Sequence, residues 1–179
     1  MSRFTTQLTH IEGLLIVERQ RVEDERGFLC RMFCQETFAD LGYANSIAQI
    51  NHTMTRHRGT IRGMHFQRAP HADSKFVSCL TGAVFDVAVD TRPESPTYLQ
   101  WQGAVLSAEN NRSLLIPAGF AHGFQSLEDD AQLLYLHGKP YAPLFEGGLN
   151  ALDPRLSIPW PLPVTHMSDR DRGFPIITG

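Results

Sequence analysis

The sequence predicts an all-β fold, and three observations predict it: short runs in which apolar and polar residues alternate, turn signals between them at close spacing, and very little helical periodicity. The clearest run is 83–90, where Phe85, Val87 and Val89 share one face of an extended strand. Further strands are expected over 14–18, 28–33, 46–50, 61–66, 76–80, 98–106, 113–116, 122–127 and 132–137. Between them lie signals such as Arg92-Pro93-Glu94-Ser95-Pro96 and Pro117-Ala118-Gly119, whose prolines and glycine favour chain reversal. Helix is expected only over 36–41 and 168–172. So many short strands at this spacing read as a sandwich or barrel.

At 179 residues the chain has the length of one domain, enough to bury a core without disulfides or metals. We expect a single domain over 1–179, with a barrel core over about 24–145. Prolines 154, 159, 161, 163 and 175 mark the segment 146–179 as an extended strap over the barrel surface. The composition, 42% hydrophobic and 20% charged, excludes disorder. A net charge of −3, without a basic run, excludes the broad positive footprint that nucleic acid requires, so an anionic ligand should be small. No apolar stretch has the length of a membrane span, and the first residues have no signal-peptide core, so cytoplasm is the expected compartment. Cys30, Cys34 and Cys79 lie in apolar segments without metal-ligand spacing and are expected to be buried thiols.

Two segments resemble the paired signatures of the cupin jelly-roll barrel: Gly59 with His65 and Gln67, and Pro117-Ala118-Gly119-Phe120-Ala121-His122. Metal-binding cupins carry two histidines and a glutamate in the first segment. Here Gln67 takes the second histidine position and no glutamate follows before Gly82. An amide is a poor transition-metal ligand, so no metal and no other cofactor is expected.

A longer series of segments, from about Asp24 to Asp171, is similar to the dTDP-4-dehydrorhamnose 3,5-epimerase family. It includes Asp24-Glu25-Arg26-Gly27-Phe28, Gln49-Ile50-Asn51, Arg62-Gly63-Met64-His65-Phe66-Gln67, Asp86-Val87-Ala88-Val89-Asp90, Ser95-Pro96-Thr97, Leu106-Ser107-Ala108-Glu109-Asn110, Pro117 through Phe124, and Trp160-Pro161. The resemblance implies a cupin-like jelly roll with few short helices. It also implies epimerisation of a 4-keto-6-deoxy sugar carried on a nucleoside diphosphate. Such chemistry needs a base facing the proton beside the ketone, a positive or hydrogen-bonding neighbour for the enolate oxygen, and an acid on the opposite face. His65 matches the family's base, Asp171 the carboxylate behind it, Tyr135 the proton donor and Lys75 the cation near the keto oxygen.

By the same resemblance Arg26 and Arg62 bind the diphosphate, with Gln49 and Asn51 beside them. Tyr141 stacks on the base, His122 lies near the sugar and its phosphate, and Glu146 and Arg170 contact the nucleotide end. The family more often has lysine where Arg170 stands. A sharper departure is Arg31, where many members carry a glutamate facing thymine N3; either the base is held differently, or it is cytosine, or Arg31 turns outward. A homodimer is implied, with exposed sheet edges covered and Arg26 and Arg31 reaching the partner's nucleotide site. Inversion at C3, C5 or both stays open, as does a CDP-linked substrate. A metal-dependent cupin oxygenase and a catalytically silent sugar-binding module are the competing classes.

Overall fold

The computed structural model describes residues 3–43 and 47–178. Two antiparallel sheets face each other. With strands numbered in chain order, the first sheet runs β1 (Phe4–Leu8), β2 (Leu15–Arg19), β10 (Arg112–Ile116), β7 (Lys75–Thr81), β12 (Ala131–His137) and β5 (Gln49–Thr55). The second runs β13 (Glu146–Gly148), β6 (Ile61–Gln67), β11 (Phe120–Ser126), β8 (Ala83–Asp90) and β9 (Trp101–Ser107). A separate hairpin is formed by β3 (Arg21–Asp24) and β4 (Gly27–Cys30). Among the described residues helix is confined to α1 (Gln35–Asp40), α2 (Asp169–Arg172) and one 3-10 turn, Pro143–Phe145. The all-β, cupin-like expectation is met.

Several boundaries differ from the expected ones for identifiable reasons. The strand expected over 28–33 stops at Cys30, because its partner β3 begins at Arg21 and the Gln20 N–H turns away to the Arg3 carbonyl. Ser46, where another strand was expected to begin, lies outside the described residues; that strand, β5, starts at Gln49 and continues to Thr55 against β12. The strand expected from residue 98 begins at Trp101, because a turn holding Leu99 at φ 63° precedes it. The barrel also reaches beyond 24–145: β1 and β2 complete the first sheet, and β13 edges the second.

Each sheet packs on its inner face and over part of its outer one. Between them lie Leu14, Val77, Val84, Leu106, Leu114, Phe124 and Leu133, all essentially buried. Outside the first sheet, α1 inserts Phe38 edge-on against Phe4 and Phe76, at ring separations of 5.2 and 4.7 Å. Outside the second, the strap brings Leu156, Ile158, Trp160 and Met167 over Met64, Val87 and Val89. The strap is pinned by hydrogen bonds as well as by burial: Trp101 Nε1 donates to the Leu156 carbonyl at 2.8 Å, and the buried Gln125 amide exchanges two bonds with Leu162. The apolar face Phe85, Val87, Val89 therefore looks outward, toward the strap, while Val84 and Ala88 look into the barrel. Cys79 is buried as expected, whereas Cys30 and Cys34 are only half-buried, because the hairpin and the start of α1 lie at the surface. No helix among the described residues is long and apolar enough to cross a membrane.

Asp90 closes the β8–β9 turn. Its buried carboxylate accepts from the Arg92 N–H, Nε and Nη2, from Ser95 Oγ and from Thr97 Oγ1, at 2.6–3.0 Å. Burial pushes this carboxyl's pKa up, but the donors outweigh it and hold it well below the usual carboxylate range. The stabilisation is thus present above the unfolded pKa and lost as pH falls through the folded one. Asp90→Ala is expected to cost about 3 kcal/mol, the low end for a broken buried ion pair because Arg92 stays partly in water. Urea unfolding at neutral pH measures it, and the gap between the two proteins should close in strong acid.

Candidate functional site

In a regular strand, residues three apart point to opposite faces. Arg62 and His65 nevertheless line one cavity, because the β6–β11 ladder shifts register between His122 opposite His65 and Phe124 opposite Arg62. Glycines permit that irregularity: a Cβ on Gly63, whose φ is +130°, would sit 2.5 Å from Gly123 Cα. The facing sheet is regular. Lys75, His137 and Gln49 form one cross-strand row of β7, β12 and β5, and Val77, Tyr135 and Asn51 form the next. The second sheet thus supplies Arg62, His65 and His122, the first supplies Lys75, Tyr135, Gln49 and Asn51, and the cavity between them measures 390 Å³. That volume suits a small organic ligand.

His65 Nε2 lies 2.8 Å from Asp171 Oδ1, and Asp171 Oδ2 accepts the Gly63 N–H at 3.0 Å. Ser168 caps α2 by accepting the Asp171 N–H, which places this buried carboxylate behind the imidazole. Burial raises the Asp171 pKa, but the Gly63 and His65 donors outweigh it and keep the carboxyl below its ordinary range. Asp171 Oδ1 can accept only from a protonated Nε2, whereas Arg170 Nη2, 3.0 Å from the same atom, can only donate, so the neutral ring satisfies one of the two; with the Asp171 bond made, Nδ1 is left as the basic nitrogen. Burial lowers the His65 pKa, Asp171 opposes that, and the Arg170 guanidinium, with Nη2 at 3.0 Å from Nε2, adds to the lowering. Arg170 is drawn there by Glu146, at 3.2 Å, and by Asp171, at 3.5 Å.

Tyr135 stands on the opposite sheet. Burial, and then the Asp86 charge, raise the pKa of its phenol, which stays protonated at neutral pH. Its ring meets His122 edge-on at 5.9 Å, and His122 Nε2 is held at 2.8 Å by the fully buried Asp86. Burial raises the Asp86 pKa, which His122 partly offsets. At the rim, the Tyr141 hydroxyl donates to Glu146 at 2.9 Å, and its ring, 55% exposed, offers a flat surface to a ligand.

Every sequence-predicted site residue except Arg26 and Arg31 is therefore brought to this cavity, with Asp171 directly behind it. Arg26 projects from the hairpin, its side chain 85% exposed and bonded to Asp24, and Arg31 is exposed just beyond. Sequence reasoning missed Asp86, Asp73 and His137. An acid inside the apolar run of β8 was the available signal for Asp86; Asp73 and His137 gave none, since only folding joins them. Gln67, at a cupin ligand position, is committed to backbone: its amide donates to the His71 and Pro140 carbonyls and accepts the Ala142 N–H. Among the described residues no three His, Cys, Asp or Glu side chains converge as a metal-binding group.

The sequence pattern of dTDP-4-dehydrorhamnose 3,5-epimerase matches residues 8–178. Among curated proteins, the Salmonella typhimurium dTDP-4-dehydrorhamnose 3,5-epimerase is 43% identical over 171 residues, covering 94% of this chain and 93% of that protein. Among solved structures, the Bacillus anthracis enzyme of that name, with TDP and pyrophosphate bound, superposes with a TM-score of 0.94 at 37% identity, covering 97% of this chain and 99% of that one. The Legionella pneumophila dTDP-6-deoxy-D-glucose-3,5-epimerase, in complex with dTDP-4-keto-L-rhamnose, gives 0.92 at 39% identity, covering 97% and 92%.

The His65 environment has a measurable consequence. Its imidazole should titrate below the ordinary histidine value in the free protein, so the neutral base is already dominant at neutral pH. Asp171→Asn removes the charge that favours imidazolium and should move the titration lower still, as histidine NMR resonances followed against pH will record.

Proposed function

Because the chain belongs to the dTDP-4-dehydrorhamnose 3,5-epimerase family, we propose that it inverts C3 and C5 of a thymidine-diphosphate-linked 4-keto-6-deoxy sugar. One observation carries the reading: a neutral imidazole backed by a carboxylate and a protonated phenol face the same cavity from opposite sheets. His65 Nδ1 takes the proton from the carbon beside the ketone, and Asp171 stabilises the imidazolium that forms. The electron pair moves onto the ketone oxygen, where the Lys75 ammonium favours the enolate. Tyr135 then delivers a proton to the other face of the planar carbon, which inverts it. The imidazolium then gives its proton to solvent and the tyrosinate regains one from solvent, so each inversion closes with no net oxidation and no net proton change.

The nucleotide end is served by Arg62 and Arg170 for the diphosphate and by Tyr141 for the base. A homodimer completes it. In support, the β3–β4 hairpin exposes Val22, Phe28 and Leu29, and the edge strand β5 exposes Ile50 and Met54. An isolated hairpin is marginal in water and an open edge invites pairing. The hairpin carries Arg26, with Arg31 just after it, so a partner's copy can supply both. Thymine offers carbonyl acceptors to a guanidinium even though its N3–H does not, so Arg31 is compatible with thymine. A nucleotide-linked substrate and three free thiols suit the reducing cytoplasm.

Incubation with the dTDP-linked 4-keto sugar in deuterated water, with labelled carbons located by NMR, tests the reading; unlabelled C3 and C5 with the native protein would refute it. His65→Asn should abolish exchange at both carbons while nucleotide affinity stays within a few-fold. Tyr135→Phe should keep deuterium wash-in yet lose net inversion by about 10²–10⁴-fold, the usual cost of one acid–base group. Equal loss of exchange in both variants would reverse this division of roles.

Calorimetric titration addresses the base. Thymidine diphosphate should bind at least as tightly as cytidine diphosphate, and Arg31→Glu should leave that order unchanged. A clear cytidine preference that Arg31→Glu reverses would transfer the substrate to the CDP series. Light scattering of the same samples should report a dimer, and a fully active monomer would remove the shared site.

A further inference from the structure

A chain of hydrogen bonds with one consistent polarity runs beneath the cavity from its rim to Lys75. The Tyr141 N–H donates to Gln49 Oε1 at 3.0 Å, and Gln49 Nε2 donates to Asn51 Oδ1 at 3.0 Å. Asn51 Nδ2 meets His137 Nε2 at 3.3 Å, and His137 Nδ1 meets Asp73 Oδ2 at 2.7 Å. Since Asn51 Nδ2 can only donate, His137 Nε2 accepts, and its proton sits on Nδ1, directed at Asp73. The chain therefore ends on a carboxylate, whose other oxygen accepts the Lys139 N–H at 3.0 Å. Asp73 Oδ2 also lies 3.4 Å from Lys75 Nζ, the one ammonium this close to it among the described residues. Asp73 is 5% exposed and Lys75 9%.

We propose that Asp73 is a positioning residue: clamped by His137 and the Lys139 backbone, its carboxylate keeps the Lys75 ammonium charged and aimed into the cavity where the ketone oxygen becomes an enolate. This deepens the epimerase reading and rests on it. Burial disfavours the ammonium and lowers the Lys75 pKa, and the Asp73 charge and hydrogen bond oppose that lowering. The buried negative charge is felt behind the sheet as well: burial, and then Asp73, push the Tyr43 phenol up to about 12. The other groups facing Lys75 do not replace it. On β12, His137 is spoken for by Asp73 and Tyr135 is a neutral phenol; on β10 the neighbour is Ile116. Lys139, and Arg62, His65 and His122 from the facing sheet, are cations or neutral bases, and Glu146 is engaged at the rim by Arg170 and Tyr141.

The chain has two lysines, Lys75 and Lys139, so protein carrying ¹³C-labelled lysine gives two ε-carbon signals, assigned by Lys75→Met. In Asp73→Asn the Lys75 titration should move to lower pH by about one to three pH units, the usual effect of a nearby opposite charge. Lys139 should stay put. Asp73→Ser, which leaves a small acceptor for His137, gives the same readout if the amide does not fit beside the imidazole. With substrate in deuterated water, exchange by Asp73→Asn should fall off on the alkaline side earlier than in the native protein and recover toward native rates at lower pH. Lys75→Met should lose exchange at every pH. Thymidine diphosphate affinity should stay within about two-fold in all three. An unmoved Lys75 titration, or a loss of exchange in Asp73→Asn that does not vary with pH, overturns the assignment. The NMR titration needs no substrate. Absence of exchange by the native protein would therefore count against the epimerase reading, whereas normal native exchange with an unmoved Lys75 counts against Asp73 alone.

Discussion

The buried Asp171 carboxylate is the constraint on which the site depends. It must be satisfied where it sits, and the two donors that satisfy it, the Gly63 N–H and His65 Nε2, belong to the most irregular part of β6. A strand with a register shift loses ladder bonds, and here a side chain from α2 takes up one of the freed N–H groups. The same contact orients the imidazole and fixes the strap that carries Asp171 across the outer face of the second sheet. Local irregularity, the basic nitrogen of His65 and the packing of Met64, Ile158 and Met167 are therefore aspects of one interaction.

The all-β class was readable because the strands are short, β-branched and bounded by turn residues. The alternation at 83–90 was also readable, but its meaning was not: Phe85, Val87 and Val89 form an apolar face because the strap covers them, and only tertiary packing determines which side of a strand becomes the barrel interior. Strand β5 was truncated in the sequence reading because Asn51 and Thr53 look like surface, whereas they are polar because they face the cavity. Likewise β1, with four exposed residues of five, and the glycine-rich β13 carry little strand signal and exist because neighbouring strands offer them partners.

The site divided along a similar line. His65, Tyr135, Lys75 and Asp171 were found by resemblance, since their separation along the chain hides any geometric relation. Asp86, Asp73 and His137 stayed hidden because a buried acid is informative only once its partner is known. Asp86 makes one hydrogen bond, to His122, and its second oxygen has none among the described residues, an arrangement that the sequence shows only as a polar residue inside an apolar run.

The position of α2 also bears on the order of events during synthesis. Every described strand of both sheets lies before residue 149, while the carboxylate behind the His65 imidazole lies at 171. Domains form as the chain leaves the ribosome, at about 5–20 residues per second. The strands therefore emerge before the strap does, and the outer face of the second sheet, with Met64, Val87 and Val89, stays open until Leu156, Ile158 and Met167 follow. Asp171, near the far end of that strap, docks on Gly63 and His65 only after every strand it holds has been made.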